Sequence, residues 1–331
     1  MSDSGLIKAR QFGETARVAR KLRIQYPGAV YHVINRGNYR RDVFETEGAA
    51  QAFVRALREA AGQYGWQVHA YVVMRNHYHV ALGTPEPNLV EGMHWLQSTL
   101  ATRFNRFRKE SGHLFQGRYQ ALLLEDDQAL GRVVRYIHLN PVRAKIVEPE
   151  QVAIYPSSSL GTMLSEQDGW LVKEPWLRAV GGWGNDGEGR SAYLAHLIEV
   201  GRNEAGWEPL GLTGLSKGWA IGTSGWRKAL AKEHAALALN PGLAREQVSE
   251  LRVAAWEQAL GAALGEIGKT REDLATKPSR RTWKVELALK LRETTGAPVT
   301  WLAETLKLGR AASVRGYLYQ IRNRNHLQNT T

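Results

Sequence analysis

At 331 residues the chain is long enough for two domains, or for one domain with a substantial extension. Lys and Arg number 44 against 32 Asp and Glu, a net charge of +12, which favours an anionic polymer such as DNA or RNA over an acidic metabolite as partner. There is no cysteine, which excludes disulfides, thiolate zinc sites and a cysteine nucleophile. The first residues are polar and basic, without the apolar core of a secretory signal. No apolar run reaches the roughly 18 residues of a membrane span, so the expectation is a soluble intracellular protein.

In chain order, residues 1–22 read as a basic leader. The run 29–35, rich in β-branched and aromatic residues, predicts a strand ending at the turn signal Arg36-Gly37-Asn38. Between Gly48 and Tyr64, Ala49, Phe53, Leu57 and Ala60 recur at helical spacing, and Gly65 can stop the helix. The runs 68–73 and 77–82 flank Met74-Arg75-Asn76 and predict an antiparallel hairpin. A long helix over 89–109, a strand over 119–124 and a helix over 127–140 follow, the last capped by Asp126 or Asp127 and ended by Pro141. The order strand, helix, strand, strand, helix, strand, helix predicts an α+β fold, a ferredoxin-like or RNA-recognition-motif-like antiparallel sheet with helices on one face.

Gly, Ser and Trp become frequent over 155–225, and 181–189 reads as a flexible loop by composition. Helices are expected over 226–238, 244–262, 283–294, 299–306 and 310–322. The last three, joined by Gly296-Ala297-Pro298 and Lys307-Leu308-Gly309, resemble a helix-turn-helix with a basic final helix carrying Arg315, Tyr319 and Arg322. The expected domains are the leader 1–22, a catalytic domain 23–150, a linker or accessory region 151–240, and a helical domain 241–331.

Two short motifs carry chemistry. On a strand, His77 and His79 project from one face while Tyr78 points away. Two such imidazoles can bind one divalent cation, or simply sit on a solvent-facing sheet surface. On the helix before Pro141, Tyr136 and Asn140 lie one turn apart. An Asn carboxamide oxygen is a workable third ligand for a hard cation, with the Tyr136 phenol beside whatever that cation holds. The bland alternative makes Tyr136 a half-buried anchor and Asn140 a helix terminator. Together the motifs fit attack by a phenol on a phosphodiester.

Four ordered blocks carry a resemblance: residues 31–38 (YHVINRGN), 71–79 (YVVMRNHYH), 115–119 (FQGRY) and 136–141 (YIHLNP). They resemble the REP-associated tyrosine transposases, bacterial relatives of the single-tyrosine insertion-sequence transposases within the two-histidine endonucleases. The resemblance spans roughly residues 23–160 and departs at Arg75, where relatives commonly carry Pro. It implies His77, His79 and Asn140 as ligands of Mg²⁺ or Mn²⁺, and Tyr136 as nucleophile. It further implies a 5′-phosphotyrosine intermediate on single-stranded DNA hairpins of palindromic repeats, and a cytoplasmic, nucleoid-associated protein. Tyr119 competes as nucleophile, since it follows Gln116-Gly117-Arg118, but Tyr136 has Asn140 one turn on. Relatives include monomers and homodimers.

Arg36, Asn38, Arg40 and Arg41 after the first strand, Arg103, Arg106, Arg108 and Lys109 on the second long helix, and Arg118 are candidate phosphate contacts, with Tyr39 and Phe115 as stacking candidates. Two other classes compete: a domesticated, non-cutting DNA-binding protein, and a metal-dependent hydrolase that forms no covalent adduct.

Overall fold

The computed structural model describes residues 23–165, 169–235, 249–275 and 282–328. The basic leader expected over 1–22 lies outside the described residues. The predicted elements form strand β1 (Ala29–Arg36), helix α1 (Glu47–Tyr64), strands β2 (Gln67–Met74) and β3 (His77–Thr84), helix α2 (Leu89–Arg108), strand β4 (Gln120–Leu124) and helix α3 (Asp127–His138). Local signals set the boundaries. Thr46 caps α1 through the Ala49 amide, and Gly65 ends it at φ 65 in the left-handed region that a residue without Cβ enters freely. Asp126 caps α3 by accepting from the Ala129 amide at 2.7 Å.

The sheet order is β2-β3-β1-β4, with antiparallel pairs throughout, and a short fifth strand, β5 (Ala220–Ile221), adds parallel to β4. Successive residues of a strand face opposite sides. Tyr78 therefore packs toward α1, with its ring 4.4 Å from that of Phe53, while His79 faces the other way, 5.4 Å from Tyr136 of α3. This corrects the expectation of helices on one face: α1 and α2 cover one side and α3 the other. Strands β1 to β4 are buried on both faces, so both faces need cover.

Two further corrections concern the chain after α3. Pro141 does not end the helical path. Leu139 keeps right-handed helical angles, and helix α4 (Asn140–Arg143) follows with Pro141 in its first turn, where a missing N–H leaves no bond unmade. The region 151–240, expected as a linker or accessory region, packs as an accessory layer in its described residues. Helices α5 (Ser159–Leu164), α6 (Trp176–Gly181), α7 (Gly187–Arg202) and α8 (Ser224–Glu233) send Leu160, Met163, Trp176, Leu177, Tyr193 and Leu197 into the same core as the strands. The glycine-rich run 181–189 is half helix, because Asp186 caps α7 through the Gly189 amide at 2.7 Å.

This segment also covers both edges of the sheet. Val73 N–H donates to Ser157 O at 2.8 Å and Val172 N–H to Val68 O at 2.8 Å along β2, while β5 lies along β4. Open edges otherwise invite pairing with other chains.

A second core holds helices α9 (Ser249–Glu266), α10 (Thr282–Thr295), α11 (Val299–Thr305) and α12 (Ala311–Gln328), with Leu260, Leu287, Leu302, Leu306 and Val314 at its centre. The parts of the expected helices that fall within 236–248 lie outside the described residues. Among the described residues, no helix is long and apolar enough to cross a membrane.

Trp176 is fully buried, so Trp176→Ala should destabilise the sheet domain by about 3–5 kcal/mol, read as a shift of the urea midpoint. A loss below about 0.5 kcal/mol, ordinary for a surface position, would mean that 151–240 is peripheral.

Acid titration gives a second test. His69, the extra residue of a β-bulge in β2, is buried with Nδ1 3.0 Å from Val172 O, and burial pulls its pKa from 6.5 to about 4. Its folded value lies below its unfolded one, so the stability it contributes is complete above pH 6.5 and is lost as pH falls toward 4, by about 1.4 kcal/mol per pH unit. Unfolding free energies measured from pH 7.5 downward should fall less steeply for His69→Asn than for the parent; identical slopes would contradict the assignment.

Candidate active site

The register of β1, β3 and β4 decides which side chains meet. His77 and His79 of β3 pair with Arg36 and Ile34 of β1, and paired residues share a face. His32 lies on that face two positions along β1 from Ile34. Helix α3 packs over it and brings in Tyr136 edge-on, with ring centroids 5.4 Å from His79 and 5.8 Å from His32. The two strand histidines are 5.1 Å apart between centroids. The structure thus joins the two motifs that the sequence shows 57 positions apart, His79 and Tyr136.

The three imidazoles at this focus are neutral at pH 7. Burial, and then the Arg36 charge, pulls His77 from 6.5 down to about 4. Burial first, followed by the other histidines, Arg36 and Arg143, holds His79 well below its ordinary value. Burial lowers His32 to about 4, opposed by its bond to a backbone carbonyl. A neutral imidazole keeps the lone pair that a metal needs.

Asn140 is buried and its Nδ2 donates to Tyr136 O at 3.3 Å, one helical turn back, which leaves Oδ1 as the amide's acceptor atom. Among the described residues, no three His, Asp or Glu side chains cluster so as to hold a metal ion. Asn140 carries a neutral oxygen of the type that could serve beside the histidine pair. Two imidazoles and a carboxamide are donors that could together hold a divalent cation.

Sequence reading missed three site residues. His32 hydrogen-bonds His79 directly, Nε2 to Nδ1 at 3.0 Å. Its signal was strand parity, which places positions 32, 34 and 36 on one face. Arg143 lays its guanidinium 4.6 Å from the Tyr136 ring centroid and 4.8 Å from that of Trp207, and donates to Leu212 O at 2.6 Å. That stack holds the Tyr136 ring, and spacing 136, 140, 143 along one helical face was the available clue. Trp207 had no local signal.

Tyr119 is the competing phenol, and the fold separates it from the histidines. It precedes β4 on the α1 side of the sheet, is 2% exposed, and lies under the Arg23 guanidinium at 3.9 Å. Burial pushes its pKa up to about 12. Phe115 is likewise core, which removes it as a stacking platform.

The candidate phosphate contacts divide. Arg36 is exposed and adjoins His77; Asn38, Arg40 and Arg118 lie on the loops beside that end of the sheet. Tyr39 is 92% exposed, and both it and Arg40 adopt left-handed angles, φ 52 and φ 60, a strained form for side chains of this size. Arg41 is engaged by Glu110 at 2.7 Å. Arg103 is bound twice by Glu59, at 3.0 and 2.7 Å, and with Arg106 and Arg108 it belongs to α2, which Lys109 caps, behind the sheet. These four are not brought to the histidine face. Arg75, the departure from the family pattern, pairs with Asp42 at 2.8 Å from the two-residue turn between β2 and β3. In the second core, Arg315 and Tyr319 are exposed on α12; the Arg322 side chain lies outside the described residues.

Residues 25–140 match the family described as "Transposase IS200 like", a span that contains His32, His77, His79, Tyr136 and, as its last residue, Asn140. This segment is similar to the IS200-like transposases. No curated protein matches the chain significantly. Among solved structures, a REP-associated tyrosine transposase bound to a REP hairpin is similar at 18% identity, over 51% of this chain and 93% of that one, with TM-score 0.38. A proposed transposase from Deinococcus radiodurans R1 is similar at 24% identity, over 38% of this chain and 92% of that one, with TM-score 0.27. The matched span ends at the first residue of α4, and the segments that cover the sheet edges lie beyond it.

Because the Tyr119 hydroxyl is buried without a hydrogen-bond partner among the described residues, Tyr119→Phe should leave the denaturation midpoint unchanged or raise it slightly, and should leave any DNA-joining activity intact. Loss of that activity in a folded Tyr119→Phe protein would move the nucleophile to the other side of the sheet.

Proposed function

We propose that this protein cuts and rejoins single-stranded DNA at hairpins of palindromic repeats, through a covalent 5′-phosphotyrosine at Tyr136. The observation that carries the reading is the Tyr136 ring set edge-on against His79, on the sheet face from which His77 also projects. The family match supports transposition as the setting, and the four motif blocks support a REP-associated transposase with a hairpin target. The split β-α-β-β-α-β order is read as ferredoxin-like, and α10 to α12 as a DNA-binding helix-turn-helix whose contacts include Arg315 and Arg322.

In this reading the chain's residues divide the work simply. His77 and His79, with Asn140 Oδ1, hold Mg²⁺ or Mn²⁺. When bound, such a cation polarises a phosphate oxygen and favours in-line attack. The Tyr136 oxygen forms a bond to phosphorus as the bond to the 3′-oxygen breaks, and the phenol proton passes, in net terms, to the departing 3′-hydroxyl. One phosphoester replaces another, so a later 3′-hydroxyl can attack the phosphotyrosine and join a new strand, with Tyr136 regaining its proton. Arg143 braces the ring, and Arg36, Arg40 and Arg118 bind flanking phosphates.

The test is a denaturing gel of the full chain incubated with labelled single-stranded hairpin and Mn²⁺. A protein–DNA adduct is expected, absent in Tyr136→Phe and reduced at least about 100-fold in His77→Ala, the scale on which loss of a metal's partners lowers activity. Cleavage without any adduct would support a hydrolase instead, and hairpin binding with neither cleavage nor adduct would support a non-cutting DNA-binding protein.

A further inference from the structure

The histidines of the site form a directional chain that begins outside the matched span. His32 Nδ1 lies 2.9 Å from Leu215 O, and a carbonyl oxygen only accepts, so this nitrogen carries the proton. In a neutral ring Nε2 is then a bare lone pair. That lone pair sits 3.0 Å from His79 Nδ1, which must therefore be the protonated nitrogen of His79. The remaining nitrogen, His79 Nε2, is left with its lone pair. His77 arrives at the same state by another route. Its Nδ1 lies 2.8 Å from Asn76 Oδ1, and the orientation of that amide is set by Asn76 Nδ2 donating to Arg40 O at 3.4 Å. Both strand histidines thus hold their proton on Nδ1 and offer Nε2.

We propose that His32 is a positioning residue that locks His79 in its ligand-ready tautomer, and that the Leu215 carbonyl, from the segment following the matched span, sets the direction of this lock. The inference deepens the metal-assisted reading above and rests on it for its consequence, although the tautomer itself is a property of the metal-free protein. Three features make the chain directional. His32 is fully buried, both of its nitrogens are engaged, and the bond at its start is to a backbone group that cannot reverse its role. A histidine that ligates a metal depends on just such a partner at its other nitrogen to fix ring orientation and proton position. Leu215 is itself buried in the shared core, and the strand that follows, β5, pairs with β4. The carbonyl is therefore held by the same contacts that close the sheet edge.

The test has two readouts on the metal-free full chain and on three variants. In the first, long-range ¹H–¹⁵N correlation of ¹⁵N-histidine-labelled protein should show His79 with a protonated Nδ1 and an unprotonated Nε2. His32→Gln places a carbonyl oxygen near the position of Nε2 and should keep that pattern. His32→Asn retains a donor toward Leu215 but gives His79 no acceptor, and His32→Phe gives neither; both should shift His79 to mixed or Nε2-protonated signals.

In the second readout, Mn²⁺ titration followed by electron paramagnetic resonance should give roughly 10- to 100-fold weaker binding for His32→Asn and His32→Phe, and near-parental binding for His32→Gln. If the Phe variant does not fold, the Asn and Gln pair carries the comparison. An Nε2-protonated His79 in the parent protein, or parental Mn²⁺ affinity in folded His32→Asn, would overturn the proposal. If the parent binds Mn²⁺ no better than His77→Ala, the metal reading fails while the tautomer result stands on its own.

Discussion

The alternation of side chains along β3 is the constraint from which the rest follows. Tyr78 and His79 are neighbours in sequence and must face opposite sides of the sheet. Tyr78 enters the aromatic core with Phe44, Phe53 and Phe115, and that burial fixes the register. A slip of one residue would put both histidines into that core and Tyr78 under α3. The precision with which His79 meets Tyr136 is therefore held by apolar packing on the far side of the sheet.

The second determinant is the chain beyond the family match. Helix α3 is buried along most of its length, and two layers hold it in place. The sheet lies beneath, and α6 and α7 pack from outside, where His138 sits between the Tyr193 hydroxyl at 2.8 Å and Ser159 Oγ at 2.9 Å. Ser159 Oγ also accepts from the Tyr71 amide of β2 at 2.9 Å. This buried polar chain ties the helix carrying the nucleophile to the strand beside the histidines. A residue two positions from Tyr136 thus has both of its nitrogens occupied, and such fully satisfied networks favour a single arrangement. Arg143, set against the rings of Tyr136 and Trp207, completes the support.

Much of this was legible in the sequence, for reasons that differ by element. The period-2 runs of β1, β2 and β3 and the caps Thr46, Gly65 and Asp126 are local signals, and the elements fall within one or two residues of where those signals place them. His77, His79 and Tyr136 could be singled out because each sits at a spacing with chemical meaning. Topology was less accessible. A strand buried on both faces has no polar side to announce it, so the layer formed by α3 was not anticipated. The region 151–240 read as linker or accessory because glycine, serine and tryptophan are frequent in it without a clear period, whereas large side chains, Trp176 and Tyr193 among them, are what tie it to the core. His32 and Arg143 were hidden because their partners lie 47 and 7 positions away, visible only once strand register and helix face are combined.

The most direct measurement of the account is the site of covalent attachment. After reaction with hairpin DNA, nuclease trimming and trypsin digestion, mass spectrometry should find the residual nucleotide on the peptide of residues 136–143, which contains a single tyrosine, Tyr136. Nucleotide on the peptide of residues 119–132, or on none of the tyrosine-containing peptides from cleaved reactions, would contradict it.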